Sequence, residues 1–386
     1  MALSPDDSAI TSISSQQRFP RGAIKINGNI IPALIDLEID SNAWRESDTF
    51  RVSLSLSALQ SPYDEAWICS RSSMQVQLYA GTVSDPTNWS INDLGQPLFY
   101  GHVDNVEYEL SARTLVLTGR DLTALLIDAR TAEKWINQSA SQIATTLANR
   151  HGLTPVIPQD TAGRAGGFYI DNHVVPTTSQ TEWDLLCWLA QQVGFVVYCK
   201  GNTLYFGPSP DESANKYPVV WVPADSQNLY RSNTASLSFA RSLTVGGTIT
   251  VTVRSFNSQQ RAGFSVSYPS ANAGKIAPGN AKSPAQNYSY RIPGLTREQA
   301  LQRAQSIYNE MIKNEMRLSA DLPGDSILDI MHVIPVSGTG TAFDQTYYPE
   351  SIQRTLSNDE GFRMKVSAKN HSDEVEPVGA DGSGGA

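Results

Sequence analysis

Phe50-Arg51-Val52-Ser53-Leu54-Ser55-Leu56 alternates strictly, apolar at every second position and polar between. A period of two puts the apolar residues on one face of an extended chain and the polar ones on the other, the pattern of a half-buried β-strand. The same pattern recurs on both sides. Upstream, Ile24 and Ile26 lead into Asn27-Gly28-Asn29 and Ile30, which reads as strand, turn and return strand. Downstream, Val76 and Leu78 alternate with Gln75 and Gln77. Phe99–Glu109 and Thr114–Thr118 then form two extended runs around the turn-like Ser111-Ala112-Arg113. So many strands in so short a stretch predict a small barrel or sandwich over 19–125.

The pattern changes beyond residue 125. Ser139 with Gln142 three residues on is a capping box. Ile143 and Leu147 share one helical face with the alanines at 140, 144 and 148, and Gly152 supplies the stop. A second helix is expected from Ser179, with Glu182 three residues later, a stripe of Trp183, Leu186, Leu189, Ala190 and Val193, and an end at Gly194. Phe195–Cys199, the turn Lys200-Gly201-Asn202 and Thr203–Phe206 make a hairpin, so 126–207 reads as a compact α/β module. Strand patterns return at Val219–Val222 and Leu243–Phe256, where Ile249, Val251 and Val253 alternate with threonines. Residues 269–287 read as a loop rich in Pro, Ala, Gly, Asn and Ser. Thr296 with Gln299 opens a third, long helix with Leu301, Ala304, Tyr308, Met311 and Ile312 on one face. Then come Ile327–Val336, a Gly338-Thr339-Gly340-Thr341 loop, Ser351–Leu356, and Phe362–Val366 with Phe362, Met364 and Val366 alternating. The expected class is α+β, mainly β, with a flexible arm at 1–18 and a flexible tail at 371–386.

Composition narrows the partners. Of 386 residues, 40% are hydrophobic, enough for real cores, whereas only 17% are charged. Lys and Arg number 29 against 38 Asp and Glu, a net charge of −9. An acidic chain is ill suited to gripping a phosphate backbone, which needs clustered cations, but it is compatible with DNA sliding past. The polar start gives no secretory signal, and no apolar run is long enough for a membrane span. Cys69, Cys187 and Cys199 never fall in a CxxC spacing, which argues against a disulfide framework or zinc knuckle and suits a reducing cytoplasm.

Motifs for chemistry are largely missing. His102, His151, His173, His332 and His371 share no metal-ligand spacing, and there is no HExxH or GxSxG. Gly338–Thr341 and Gly246-Gly247-Thr248 lack the Lys-Ser/Thr and helix of a phosphate loop, so they read as turn glycines. Asp321, Asp325 and Asp329 recur every four residues, but Pro323-Gly324 interrupts them and the EF-hand spacing fails. Cys187 and Cys199 read as core cysteines. Trp183, Trp188, Phe195, Tyr198, Tyr205 and Phe206 form an aromatic-rich group that reads first as module core and second as a sugar-stacking platform. No catalytic, cofactor-binding or metal residue is assigned, and a non-enzymatic protein without cofactors is expected.

Longer stretches carry a family resemblance. Leu98-Phe99-Tyr100-Gly101-His102-Val103-Asp104, followed by the run from Leu115 through Thr118-Gly119-Arg120-Asp121-Leu122 to Asp128, resembles the end of the first barrel in tail-baseplate hub proteins of contractile-tailed bacteriophages. Thr181–Leu186 with Gly194-Phe195 and Leu204-Tyr205-Phe206 is similar to that family's following module. Val253–Asn257, Pro293–Thr296 and Leu322-Pro323-Gly324-Asp325 extend the resemblance over about residues 20–370. The N-terminal part of type VI secretion spike proteins shares the plan.

The resemblance implies two tube-like β-barrels per chain, one at 19–125 and a discontinuous one at 208–240 plus 318–370. The insertion 241–317 would pack on the α/β module 126–207. It implies a homotrimer presenting six barrels in a ring, matching a six-fold tail tube to a three-fold spike. Partners would be other copies of the chain, a tail tube or tube-initiator protein, a central spike protein supplied as a separate subunit, and baseplate wedge proteins. DNA would pass through a polar to acidic lumen without specific binding. The protein would reside in the virion baseplate after assembly in the host bacterial cytoplasm. Two other readings remain open: a glycan-binding or wall-cleaving tail subunit, whose mark would be a carboxylate pair in a cleft, and the equivalent hub of a tailocin or secretion system.

Overall fold

The computed structural model describes residues 19–43, 46–133, 135, 138–157, 180–193, 195–208, 215–224, 229–242, 249–257, 262–268, 286–292, 297–312 and 316–370. The arm, the tail, Ser179, Gly194, Gly246–Thr248, Thr296, His173, His371 and nearly all of the 269–287 loop lie outside these residues. The fold is α+β and mainly β. By its internal contacts the chain divides into two compact units, Met1–Ser238 with Ser319–Ala368, and Phe239–Leu318 with Lys369–Ala386.

The first unit opens with β1 (Phe19–Ile26), β2 (Asn29–Ile31), β3 (Leu34–Asn42) and β4 (Thr49–Ser55), a short helix α1 (Glu65–Cys69), then β5 (Gln75–Val83), β6 (Phe99–Glu109) and β7 (Thr114–Asp121). All strand pairs here are antiparallel, in the spatial order β2-β1-β5-β6-β7-β4-β3. One face of every strand feeds a single core: Ile24 and Ile26, Ile31, Leu37 and Ile39, Phe50, Val52 and Leu54, Val76 and Leu78, Phe99, Leu115 and Leu117. Seven strands can share one core only if the sheet curls round its own apolar face. The Asn27-Gly28 turn that joins β1 to β2 is built as expected, with both residues at positive φ, 48° and 82°.

Two glycines allow the sheet to close up at β6 and β7. A Cβ on Gly101 would lie 2.2 Å from the Arg120 carbonyl oxygen, and one on Gly119 would lie 2.0 Å from the His102 carbonyl oxygen. Beside them the register slips between Val103 and Asn105, a β-bulge. The bulge reverses which side of the sheet each later residue of β6 faces.

A helix α2 (Thr123–Asp128) leads into the α/β module, made of β8 (Arg130–Thr131), α3 (Ala140–Arg150), β9 (Thr154–Val156), β10 (Gln180–Thr181), α4 (Glu182–Val193), β11 (Val196–Lys200) and β12 (Thr203–Gly207). The Ser139 capping box forms in both directions: Gln142 N donates to Ser139 Oγ (3.3 Å), and Ser139 N donates to Gln142 Oε1 (2.8 Å). The cap of α4 differs from expectation. Thr181 Oγ1 accepts from Asp184 N at 3.0 Å, so the start sits two residues beyond Ser179. Ile143, Leu147, Trp183, Leu186, Leu189, Phe195 and Phe206 fill one core. The aromatic group divides: Trp183, Phe195 and Phe206 are buried, Trp188 is exposed, and Tyr198 and Tyr205 stack on each other at 4.9 Å.

The second stretch of this unit holds β13 (Val219–Val222), β14 (Arg231–Ser232) and the start of β15 (Ser236–Arg241). The second unit contains a three-stranded sheet of β16 (Ile249–Asn257) between β17 (Ala262–Tyr268) and β18 (Gln286–Arg291), covered by α5 (Arg297–Ile312). The packed face of α5 is Ala300, Ala304 and Ile307, with Tyr308 beside it. Leu301, expected on that face, is exposed, because the small alanines are what let the helix approach the sheet.

The chain closes with β19 (Met316–Pro323), β20 (Ile334–Ser337), β21 (Thr346–Ser357) and β22 (Gly361–Lys369). Of the segment Ile327–Val336, only the part from Ile334 is strand. Asp325 Oδ1 accepts from the backbone N of Ile327 and of Leu328, both at 3.0 Å, and folds the segment into a turn. β21 pairs antiparallel with β3, from Ser351 opposite Asn42 to Leu356 opposite Leu37. That ladder merges the N- and C-terminal strands into a single 14-stranded sheet whose main path runs from β14 to β2.

Candidate functional site

A pocket of about 350 Å³ opens within the first unit. Its walls come from the end of β3 and the turn into β4, the end of β7, the residues leading into β6, the β11–β12 turn, the 326–331 loop and β21. Six charged side chains line it: Glu46, Asp48, Asp121, Lys200, Asp329 and Arg354.

Asp121 ends β7 and is almost fully buried. Its Oδ1 accepts from Ser47 Oγ at 2.5 Å and from Thr123 N at 3.2 Å, and its Oδ2 accepts from Thr123 Oγ1 at 2.9 Å. Burial pushes its pKa up to about 6, and those hydrogen bonds hold it from rising further. Asp48 Oδ1 accepts from Asn42 N at 2.8 Å and so closes the turn between β3 and β4. Burial first, and the negative charge of Asp121 second, push the Asp48 carboxyl up to about 8. At neutral pH Asp48 therefore keeps its proton beside an ionised Asp121.

Arg354 occupies a core-facing position of β21 between Ile352 and Leu356, and is 4% exposed. Its Nε donates to the Asp325 carbonyl oxygen (3.1 Å) and its Nη2 to the Leu328 carbonyl oxygen. Burial pulls its pKa down, opposed by Asp325, Asp329 and Asp48. Burial raises the pKa of Asp329, but ion pairing with Lys200 and the charge of Arg354 outweigh it and hold this carboxyl below the ordinary range. Burial, with help from Asp121, pushes the Cys199 thiol up to about 12, which leaves it unreactive.

An acid that keeps its proton beside an ionised carboxylate is the electrostatic arrangement of an acid–base pair. Here, however, both oxygens of Asp121 are taken by Ser47 and Thr123, and Asp48 is tied to its own turn. The bonds of the cluster join five stretches distant in sequence in two sets: Ser47 with Asp121 ties the β3–β4 turn to the β7 end, and Lys200 with Asp329 and Arg354 with the Asp325 and Leu328 carbonyls tie together the β11–β12 turn, the 325–331 loop and β21. Sequence reading missed it, although one signal was present: Arg354 stands where the alternation Ile352, Leu356 calls for an apolar residue.

The residues considered in the sequence disperse. Asp321 accepts from Ser236 Oγ at 2.5 Å, Asp325 from Tyr217 OH at 2.7 Å, and Asp329 pairs with Lys200. In the 338–341 loop, Thr339 N, Gly340 N and Thr339 Oγ1 all donate to the Asp344 carboxylate, at 2.9, 2.8 and 2.7 Å. Those amides are thereby satisfied internally rather than offered to a phosphate. His151 Nε2 lies 2.6 Å from Glu182 Oε2, and His332 Nδ1 accepts from Asp329 N at 3.1 Å. Among the described residues, no three or more His, Cys, Asp or Glu side chains are grouped to hold a metal ion. Among them, too, no helix is long and apolar enough to cross a membrane.

No protein-family model matches the sequence, and no curated protein sequence does. Solved structures match over nearly the whole chain. A tail protein from Neisseria meningitidis MC58 superposes with a TM-score of 0.66 at 14% identity, covering 91% of this chain and 96% of its own. The 43 kDa tail protein of prophage MuSo2 from Shewanella oneidensis gives 0.66 at 16% identity, covering 90% and 98%. An E. coli component of the type VI secretion system, itself similar in structure to the T4 bacteriophage tail proteins gp27 and gp5, gives 0.53 at 12% identity, covering 92% and 79%. The chain has the fold shared by these phage tail proteins and this secretion-system component.

Proposed function

We propose that the protein is a structural hub of a contractile-tail baseplate, a homotrimer that joins a six-fold tail tube to a three-fold spike. The observation that carries this reading is the extent of the likeness. It spans 90–91% of this chain and 96–98% of the two tail proteins, so it includes the α/β module and the insertion as well as one sheet. In this reading 19–125 and 208–240 with 318–370 form two tube-like barrels. Three chains then place six barrels round a channel. Tail tube or tube-initiator protein would sit on one side, a separate spike protein on the other, and wedge proteins around the rim. The net charge of −9 suits a wall that DNA passes without the counterion-releasing phosphate contacts a basic lining would make. The role is structural and the location is the virion.

Likeness to the secretion-system component supports a second host particle, a tailocin or secretion apparatus, built on the same geometry. The wall-cleaving reading gains a carboxylate pair in a pocket, Asp48 and Asp121, but Asp121 is fully engaged and the pair shapes the chain instead. Native mass spectrometry of the purified protein tests the hub. A trimer supports it, and a monomer at every concentration overturns it. Release of muropeptides from peptidoglycan by the purified protein would restore the wall-cleaving reading.

A further inference from the structure

The three-stranded sheet of the second unit has one covered face and one bare one. Val251 and Val253 of β16 meet Ala300, Ala304 and Ile307 of α5. Side chains alternate along a strand, so Thr252, Arg254 and Phe256 point the other way. There Arg254 is exposed and Phe256 is 56% exposed. The parallel register of β16 with β18 sets Arg254 beside Arg291, also exposed, and Thr252 beside Ser289. On the other flank β17 sets Ser265 beside Arg254, and Ser267 beside Thr252, with their hydroxyls 2.8 Å apart. The described residues of this face thus carry two positive charges, several hydroxyls and one aromatic ring, and no acid.

Adjacent strands lie about 4.8 Å apart, so the two arginine side chains rise from neighbouring points. Like charges directly opposite are destabilising. Among the described residues neither guanidinium has a hydrogen-bond or ion-pair partner. Two free guanidinium groups side by side are a site for carboxylates, which arginine takes through paired, charge-assisted hydrogen bonds.

We propose that the acidic tail of the same chain, residues 371–386, docks on this face and pairs its carboxylates with Arg254 and Arg291. The tail holds Asp373, Glu374, Glu376 and Asp381 and no Lys or Arg. It also starts close by. Asn370 N donates to the Met316 carbonyl oxygen at 3.1 Å, and Asn370 Oδ1 accepts from Met316 N at 3.2 Å. Met316 follows the end of α5 at Ile312 by four residues. That end of α5 lies over the start of β16, because Tyr308 meets Tyr268 edge-on at 5.2 Å and Tyr268 is registered with Val251. Arg254 is three residues farther along β16, about 10 Å. The chain beyond Asn370 can span up to about 50 Å when extended. That is enough to round the edge of a sheet only about 10 Å wide and reach its bare face. Each exposed ion pair contributes little, about 1 kcal/mol at most, but tethering raises the effective concentration of the tail to the millimolar range. The contact is therefore dynamic and sensitive to salt.

The test is heteronuclear NMR of the full ¹⁵N-labelled chain, reading the amide signal heights of Gly379, Gly382, Gly384 and Gly385. A docked tail tumbles with the folded protein and gives weak signals, whereas a released tail gives sharp ones. This holds for a monomer or a trimer, so the result is independent of the hub reading. Raising the salt from low to high should strengthen the wild-type signals at least about threefold. Arg254→Glu/Arg291→Glu should give strong signals at low salt, and so should a tail carrying Asp373→Lys, Glu374→Lys, Glu376→Lys and Asp381→Lys. Both sets of positions are exposed or lie in the tail, and unchanged thermal unfolding verifies that the folds are intact. Combining the two variants reverses both charges and should weaken the signals again. Wild-type signals as strong at low salt as at high salt overturn the contact. So does wild-type weakening that persists in Arg254→Glu/Arg291→Glu, which would put the tail elsewhere, and so does a combined variant that stays sharp. Weakening that grows with protein concentration would mean the tail of another copy, and overturns the contact within one chain.

Discussion

Replacing Asp48 by Asn should stabilise the protein increasingly as pH rises from 4 to 8. The Asp48 carboxyl has its pKa pushed from an ordinary 3.8 up to about 8, by burial and by Asp121. Below pH 4 it is protonated in folded and unfolded chains alike and costs nothing. Above pH 4 the unfolded chain ionises freely while the folded chain retains the proton, so stability falls with each step in pH until the folded group itself ionises near 8. At about 1.4 kcal/mol per pH unit, the full span sets a ceiling of roughly 6 kcal/mol. Solvent reaching the carboxyl through the pocket lowers that ceiling, and a gain of about 2 kcal/mol for Asp48→Asn at pH 8 is expected, or about 2–3 °C in Tm for a chain of 386 residues. The amide keeps the acceptor for Asn42 N, so the turn is preserved. Calorimetry of both proteins from pH 4 to 9 measures the effect. Asp121, raised in the same direction to about 6, leaves a smaller residual slope between pH 4 and 6 in the variant. A variant that melts lower than wild type at pH 8, or two parallel pH profiles, would refute the reasoning.

Three further outcomes follow from the geometry. Gly119→Ala forces a Cβ to 2.0 Å from the His102 carbonyl oxygen and should cost about 3 kcal/mol or more in urea unfolding; an unchanged midpoint would mean that β6 and β7 can part there without penalty. Glu182→Ala removes the acceptor of Arg150 Nη1 (2.5 Å) and the partner of His151 from an almost fully buried position, and should cost about 2–4 kcal/mol, with Glu182→Gln recovering part of the loss. Asp344→Ala leaves Thr339 N and Gly340 N without their carboxylate, at a cost of about 1 kcal/mol, and should open the 338–344 loop to limited proteolysis.

What the sequence disclosed was what neighbours along the chain determine. The alternation through Phe50–Leu56 located a strand and its buried side, and Ser139 with Gln142 located a helix start, because both signals lie within a few residues. Part of the bulge was also on view: the apolar positions of β6 are odd at Phe99 and Val103 and even at Val106 and Tyr108. Cap choice at α4 went to Thr181 because a serine or threonine is available at both positions and only the helix geometry decides between them. Leu301 was misjudged because bulk, not fit, suggested its face; Ala300 and Ala304 pack better against a close sheet. The pocket could not be read at all. Asp48, Asp121, Lys200, Asp329 and Arg354 come from five places, and no local spacing encodes which strand ends converge.

The ladder between β3 and β21 also sets a timetable for synthesis. Gln353 Nε2 donates to Glu38 Oε1 at 2.6 Å across 315 residues of chain. At roughly 5–20 residues per second, a ribosome needs about 15–60 s to deliver β21 after β3 has emerged. The N-terminal strands can gather their own core long before that, but the outer edge of β3 must wait, its backbone unpaired, on a strand made last. During that interval the nascent protein carries an open sheet edge, and any stop codon before residue 346 would make the condition permanent. Truncated chains are therefore expected to be sticky rather than merely incomplete, and the final strands act as the cap that makes the early ones safe to release.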